Sequence, residues 1–599
     1  MLSAEQQAQC FLENEREFRL GILPTEQAHP QTTGLSEVIR RDTAAGVRMM
    51  QAVDRDIPPA ARRVFASREF DILVEQLFLA LKGGKHIFLS GCGATGRLCI
   101  LLEAAWRRFW RMAPAALVRT HSGSGDALHS LMTGGDYALI RSVEFFEDYI
   151  SFGRHQIAQA GVRKGDVVVA VTEGGETSSV IGTVWQGVEA GAHVFFLFNN
   201  PAQILARHIE RSRTVINDAR IVKLDLSSGP MAVAGSTRMQ ATTIELLVLG
   251  TALELALNRL AVESGVDLAD STQNAFYAPD PAVHATTFMH LRDDLAQPAA
   301  VQAITRWIAC EEQIYARRGA VTYLADTCLL DIFTDTTERA PTFMLPSFRR
   351  CDDIRAPRSW AFVKNPRLST PAAWQAVLEH EPRCLDWAGE MYRQLGAPER
   401  IWQNPPQIGS LDLEHFLIGN EPDPSRYASP ADAVVLILNG PEARGFNLPG
   451  DSLAADSRHL MASFPRRIAV SIGTVPPPAD DFESSFHIAC HIPPSPLCLW
   501  EHLAVKLVLN IVSTATMARL GRLSGNWMVH VETTNKKLID RGIRIVMEFT
   551  GLSYEAACLA LHKTIAELQV AMPVGKETVS PVVRTIERIG AAKAGHKKM

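Results

Sequence analysis

The chain has 599 residues, 47% of them hydrophobic and 21% charged, with a formal net charge of −5. At roughly 150 residues per domain this length predicts about four units rather than one core, and the small net charge, with Lys and Arg dispersed, gives no support to a nucleic-acid or acidic-membrane partner. Ten cysteines with no C-x-x-C pair and no His/Cys cluster at metal spacing predict a reducing compartment, no metal site, and Cys92, Cys99 and Cys490 as small buried hydrophobes.

The opening Met1-Leu-Ser-Ala-Glu-Gln-Gln lacks a basic run followed by an apolar one, so no signal peptide is expected. No uninterrupted apolar stretch reaches 18 residues, and Leu246–Leu257 is too short to span a bilayer. The expectation is a cytoplasmic protein without a membrane partner. Residues 34–82 carry apolar positions at helical spacing, most clearly in Asp71-Ile-Leu-Val-Glu-Gln-Leu-Phe-Leu-Ala-Leu. Five short β-rich runs follow, at 86–89, 116–119, 166–171, 193–198 and 221–224, mostly separated by helical sequence. Helical sequence returns at 241–261, and a second set of β-rich runs lies at 320–324, 433–438, 468–472 and 486–489. Pro-rich loops such as Asn404-Pro-Pro and Pro476-Pro-Pro-Ala lie between them. Strands alternating with helices predict βαβ units and parallel sheets covered on both faces, an α/β fold of the flavodoxin-like kind, twice over. Residues 500–570 read as helical, with a small cap around 535–569; the basic run Lys593–Met599 reads as a frayed end.

The predicted units are a helical segment 1–65, a first α/β domain 66–265, a second 266–525 containing an insertion at 345–430, and a cap and tail 526–599. Two loops carry chemistry. The first strand runs into Ser90-Gly-Cys-Gly-Ala-Thr-Gly-Arg97 and then an apolar helix. Glycines at a strand-to-helix turn let backbone N–H groups approach an anion at the positive end of the helix. Gly93, Thr95 and Gly96 are therefore candidate phosphate ligands. The third strand ends in Val171-Thr-Glu-Gly-Gly-Glu-Thr-Ser-Ser179, which adds Gly174, Gly175, Thr177 and Ser178. Ligands of open parallel sheets bind at the carboxyl ends of strands, so the two loops reinforce each other. Neither loop carries a lysine, and Glu173 and Glu176 are awkward beside a dianion.

The runs Gly91-Cys-Gly-Ala-Thr-Gly-Arg-Leu98, Thr133-Gly-Gly-Asp-Tyr-Ala138, Val143-Glu-Phe-Phe-Glu-Asp148, Gly235-Ser-Thr-Arg-Met239, Lys506-Leu-Val-Leu-Asn-Ile-Val-Ser-Thr514, Gly525-Asn-Trp-Met-Val529 and Thr534-Asn-Lys-Lys-Leu538 resemble the N-acetylmuramic acid 6-phosphate etherase and glucokinase regulatory protein family. The resemblance covers about 34–260 and 500–560, and 320–345 more faintly. It implies two sugar-isomerase (SIS) domains fused in one chain, with a phosphorylated amino sugar held between them and no metal or cofactor. It also implies two catalytic glutamates. One falls on Glu147. The register of the other in the first domain holds Ala105, with Glu103 two positions away on another helix face. Asp335-Thr-Thr-Glu-Arg-Ala-Pro-Thr-Phe343 resembles the family's D-x-x-E-x-x-P-T segment and puts Glu338 in the missing role. The family lysine matches Leu246 in the first copy and Lys506 in the second, while the second copy's glycine loop has become Leu324-Ala-Asp-Thr-Cys-Leu-Leu. Each half retains what the other has lost, so Thr95, Glu147, Thr177, Glu338 and Lys506 are expected to line one cleft, with Arg238 from the S-T-R-M run beside them.

Departures from the family pattern are Gly174 and Glu176 where it has Ser and Arg, Gln240 where it has Lys, and His530 where it has Asp. The implied activity is elimination of lactate from an amino-sugar 6-phosphate, with Glu147 as base and Glu338 as acid. The alternatives are a sugar-phosphate sensor that controls a partner such as a sugar kinase, and a sugar-phosphate isomerase or deglycase.

Overall fold

The computed structural model describes residues 3–268, 280–448, 450–478, 480–571 and 579–596; the last three residues of the basic run fall outside these. The first sheet comprises β1 (Ile87–Gly91), β2 (Leu128–Met132), β3 (Val167–Thr172), β4 (His193–Phe198) and β5 (Ile221–Asp225). Its order is β2-β1-β3-β4-β5, parallel throughout. The second comprises β6 (Val321–Leu324), β7 (Ala361–Lys364), β8 (Ala433–Asn439), β9 (Arg466–Ile472) and β10 (Ser484–Ile488), also parallel, in the order β10-β9-β8-β6-β7. Counted within its own sheet and read from the β7 edge, the second repeats the first: 2-1-3-4-5, the flavodoxin-like winding. All six residues of β3 are buried, as a strand covered by helices on both faces requires.

One expected strand is wrong. Ala116-Leu-Val-Arg lies in a helix, Ala115–Thr120, with Pro114 at its N-cap, where a fixed φ favours helix entry. The strand lies further on, in Leu-His-Ser-Leu-Met, whose two polar residues hid it. β7 is also additional, a four-residue strand ending in a buried lysine whose amine donates to the Leu417 carbonyl at 2.5 Å.

Two long helices, Gln240–Glu263 and Leu499–Arg519, are buried along most of their length. A Cβ on Gly250 would stand 2.5 Å from Leu499 Cδ1, so glycine permits their close approach. Apolar residues of both sheets join these helices in one continuous core. The helices Lys536–Thr550 and Pro581–His596 share a smaller core with the N-terminal helix Ala4–Asn14. The 345–430 insertion docks on the first half. Trp387 packs among Phe146, Phe152 and Tyr392, and Arg383 pairs with Glu103. Among the described residues no helix is long and apolar enough to cross a membrane.

Glu501, in the first turn of the Leu499–Arg519 helix, has Oε2 buried without a hydrogen-bond partner among the described residues. Burial, with Glu254 and Asp331 nearby, pushes its carboxyl up to about 7. The folded state therefore holds a proton that the unfolded chain releases, and stability falls as pH rises from the ordinary carboxylate range to about 7. Above that window the cost is about 3 kcal/mol. Glu501→Gln is expected to raise the melting temperature at about pH 8 and to leave it nearly unchanged at about pH 5; an equal effect at both would contradict this.

Candidate functional site

The winding of the first sheet reverses between β1 and β3, and a cleft opens at their carboxyl ends with a volume of ≈ 820 Å³, the space at its mouth included. The glycine loop forms one wall. Gly93 opens the Gly93–Met112 helix with φ +55°, a left-handed conformation suited to glycine. The helix Leu329–Phe343 of the second half reaches over this loop and brings Glu338 into the cleft. A Cβ on Gly93 would lie 3.7 Å from Glu338 Oε1. Glu147 comes from the turn Glu144–Asp148, anchored by the fully buried Phe146. Its Oε2 accepts from the Cys92 thiol at 3.7 Å and its Oε1 from Asn535 Nδ2 at 2.7 Å. The two carboxylates thus stand over consecutive residues, Cys92 and Gly93, one from each half of the chain.

Each carboxylate has a distinct setting. Glu338 is ion-paired with Arg97, a buried side chain that also donates to the Ala138 and Leu139 carbonyls and to Ser142 Oγ. Glu147 accepts from Cys92 and Asn535 and has the Lys537 ammonium in the same cleft. A third carboxyl, Glu173, also faces the cleft. Burial raises its pKa, opposed by Lys537 and assisted by Glu338. Beneath the loop, Glu245 accepts from Thr95 Oγ1 at 2.6 Å and from Asn199 Nδ2 at 2.7 Å. Burial, with Glu173 beside it, raises this carboxyl well above its usual range.

Of the other expected residues, Thr177 and Arg238 line the cleft. Thr177 stands at the N-cap position of the Ser178–Ala190 helix without a side-chain capping bond, its hydroxyl 2.9 Å from that of Thr172. Arg238 is ion-paired with Asp335 and donates to Thr514 Oγ1 at 2.9 Å. Thr95, Gly96, Gly174, Gly175, Ser178 and Lys506 are not among the cleft walls. The Thr95 hydroxyl is turned under the loop to Glu245. Gly96 serves packing, since a Cβ there would meet Met132 Cγ at 2.8 Å and the Gly91 carbonyl at 2.9 Å. The Gly174 and Gly175 carbonyls accept from Asn200 and Ser212. Ser178 is buried in the first turn of its helix. Lys506 is spent: its ammonium donates to the Arg238 and Met239 carbonyls, Thr243 Oγ1 and Asn510 Oδ1 at 2.8–3.2 Å. Burial lowers its pKa to about 7, yet four acceptors around one nitrogen favour the charged form.

The cleft's lysine is instead Lys537, ion-paired with Glu176 at 3.0 Å. Burial works against its charge, but Glu176, Glu147 and Glu26 outweigh burial and hold it above the usual lysine range. Arg541 stands beside it, paired with the buried Glu26 of the N-terminal segment. Glu103, near the position where the first copy lacks its glutamate, is structural: its carboxylate is held by Arg107, Arg383 and the backbone and hydroxyl of Ser130.

Residues 72–186 match the family described as the glucokinase regulatory protein N-terminal SIS domain. The N-acetylmuramic acid 6-phosphate etherase of Trichormus variabilis is 30% identical over 256 residues, 42% of this chain and 75% of that protein. The enzyme of the same name from Picosynechococcus sp. is 29% identical over 253 residues, again 42% and 75%. Among solved structures, the C-terminal domain of glucosamine-fructose-6-phosphate aminotransferase from Francisella tularensis aligns with a TM-score of 0.43 at 10% identity, covering 79% of this chain and 96% of that one. With 30% identity across three quarters of an etherase and an SIS domain of the regulatory type matched in its first half, this chain belongs to the N-acetylmuramic acid 6-phosphate etherase and glucokinase regulatory protein family.

Proposed function

We propose that the chain binds a phosphorylated amino sugar between its two α/β domains, 66–265 and 266–525, and cleaves a lactyl ether from it. The observation that carries this reading is the convergence of Glu147 and Glu338, from opposite halves of the chain, over Cys92 and Gly93 in one cleft. The phosphate lies against Thr177 and the N-terminus of the Ser178–Ala190 helix, where backbone N–H groups and the helix dipole favour an anion. Lys537 supplies the formal charge from the cleft wall, where Lys506 was expected to stand.

In the open-chain sugar the carbon-2 proton is acidified by the neighbouring aldehyde. Glu147 removes it; the electron pair forms the carbon-2–carbon-3 double bond, and the carbon-3–oxygen bond breaks. The departing lactyl oxygen takes a proton from the Glu338 side of the cleft. Water then adds back, its hydroxyl to carbon 3 and a proton to carbon 2. Such chemistry needs one ionised and one neutral carboxyl near neutrality. Glu338 is paired with Arg97, and the neighbouring Glu173, whose carboxyl burial raises, is the group placed to hand it a proton.

One finding favours a second reading, a sugar-phosphate sensor acting on a partner enzyme: the match of residues 72–186 to a regulatory-protein domain. The deciding experiment gives the protein N-acetylmuramic acid 6-phosphate and follows the melting temperature, free lactate and solvent deuterium at carbon 2. The lyase reading expects a raised melting temperature, because a ligand that binds only the folded state stabilises it by mass action, together with lactate and deuterium uptake. Stabilisation with neither product leaves the sensor.

A further inference from the structure

The cleft does not end at its carboxylates. Ser142 and Val143 line both the cleft and a second, larger cavity of ≈ 1930 Å³, measured in the same way. Three parts of the chain enclose it: the loop leading to Glu147, the 345–430 insertion, and the segment before the Lys536–Thr550 helix. Its apolar floor includes Tyr137, Ile401 and Ile408, all buried. Its rim is polar, with the exposed amides of Asn404 and Gln407, the carboxylate of Asp352, which pairs with Arg350, and that of Asp353, which accepts from the backbone N–H groups of Arg355 and Ala356. Arg350 is held by Asp352 and Asp412, which leaves Arg141 and Arg400 as the exposed cations of the rim. Glu532, on the opposite wall, is pushed up to about 7 by burial, so its negative charge is only partly developed near neutrality.

The junction with the cleft is specific. Arg97 bridges it, pairing with Glu338 on one side and donating to Ser142 Oγ at 3.0 Å on the other. A substituent that leaves a sugar at Glu338 therefore lies against Ser142, with the cavity beyond it. A lactyl group is three carbons long, and the space behind Ser142 is more than twice the volume of the cleft itself. An apolar floor under a rim of side-chain amides and guanidinium groups suits a chain that carries its own amides and a terminal carboxylate.

We propose that this cavity is a second subsite, which takes a short peptide joined by an amide bond to the carboxyl of the ligand's lactyl ether. The inference rests on the sugar-phosphate reading of the cleft and extends it to the substrate class: peptidyl sugar phosphates in preference to the bare sugar.

The test compares N-acetylmuramic acid 6-phosphate with the same sugar phosphate carrying a dipeptide on its lactyl carboxyl. Affinities are measured by calorimetry on Glu147→Gln protein, so that turnover does not consume the ligand. The conjugate is expected to bind at least about tenfold more tightly than the parent, the scale of one charge-assisted contact. Arg400→Ala, at an exposed position, and Gln407→Trp, which narrows the rim, are each expected to abolish that advantage while leaving the parent's affinity within about twofold. A parent that binds beside a conjugate that binds equally or worse overturns the subsite alone. Failure of both to bind, along with every other sugar 6-phosphate, overturns the cleft reading and this one together.

Discussion

Glu147→Gln is expected to lower lactate release from N-acetylmuramic acid 6-phosphate by about 10²–10⁴-fold, the usual worth of a positioned general acid or base. The substitution keeps a carbonyl oxygen for Asn535 Nδ2 to bond, so the turn and the cleft are retained and ligand affinity stays within about tenfold. Deuterium uptake at carbon 2 disappears with it, because no other group has been assigned to that proton. Glu338→Gln is expected to lower release by the same order and to keep the exchange, since the base remains. The pair of variants therefore separates the two steps. Equal exchange in both, or release in Glu147→Gln within threefold of the wild type, rules out Glu147 as the base.

Glu147 and Glu338 are legible in sequence because each sits in a run with its own pattern, and the two patterns fail in opposite halves. The cation of the cleft is not legible. Lys506 and Lys537 both belong to helical stretches with family-like neighbours, and linear order says nothing about which ammonium faces the cleft. Tertiary structure decides it: Lys506 is turned toward the carbonyl of a residue 268 positions earlier, while Lys537 meets Glu176 at the mouth of the second loop. That pair also resolves the awkward glutamate. Burial works to raise the Glu176 carboxyl, but Lys537 and Arg211 outweigh it and hold the carboxyl below its usual range, so it is a neutralised wall rather than a bare charge.

The fold shows the same division. β3 and β4 are legible as unbroken apolar runs because both their faces are covered. β2 and β7 are shorter on apolar residues, and their place is fixed by pairing with β1 and β6 rather than by their own composition. Thr95 shows why a hydroxyl in a glycine loop is weak evidence. The loop has the expected form, but the side chain points inward, to a buried carboxyl on the Gln240–Glu263 helix that no local pattern announces.

Asp335→Asn is expected to cost about 3–5 kcal/mol of stability, the scale of breaking a buried ion pair from one side. Asp335 lies one turn before Glu338 on the Leu329–Phe343 helix. Arg238, from the first half of the chain, and Arg339 both pair with it, and each of the three side chains is 2% exposed. Ser513 Oγ donates to it at 2.8 Å and Asn510 Nδ2 at 3.2 Å. An amide of the same shape turns two of its own N–H groups toward this ring of donors, takes the paired carboxylate from the buried Arg238 and leaves Arg339 only the more distant Glu311, 4.0 Å away. Burial alone would raise the Asp335 carboxyl, but the two arginines outweigh it and hold it below its ordinary value. Its contribution is therefore complete above the ordinary aspartate range and is lost only as pH falls below that range, through the folded value. Urea midpoints for wild type and Asp335→Asn are expected to differ by a constant amount from about pH 5 to 9 and to draw together only in stronger acid. Glu210→Gln provides the contrast: its partner Arg213 and its own carboxylate are both largely exposed, and the change is expected to cost less than about 1 kcal/mol. If Asp335→Asn falls within that same margin, the network does not hold the two halves of the chain together, and the placing of Glu338 over Gly93 must come from the apolar contacts of its helix instead.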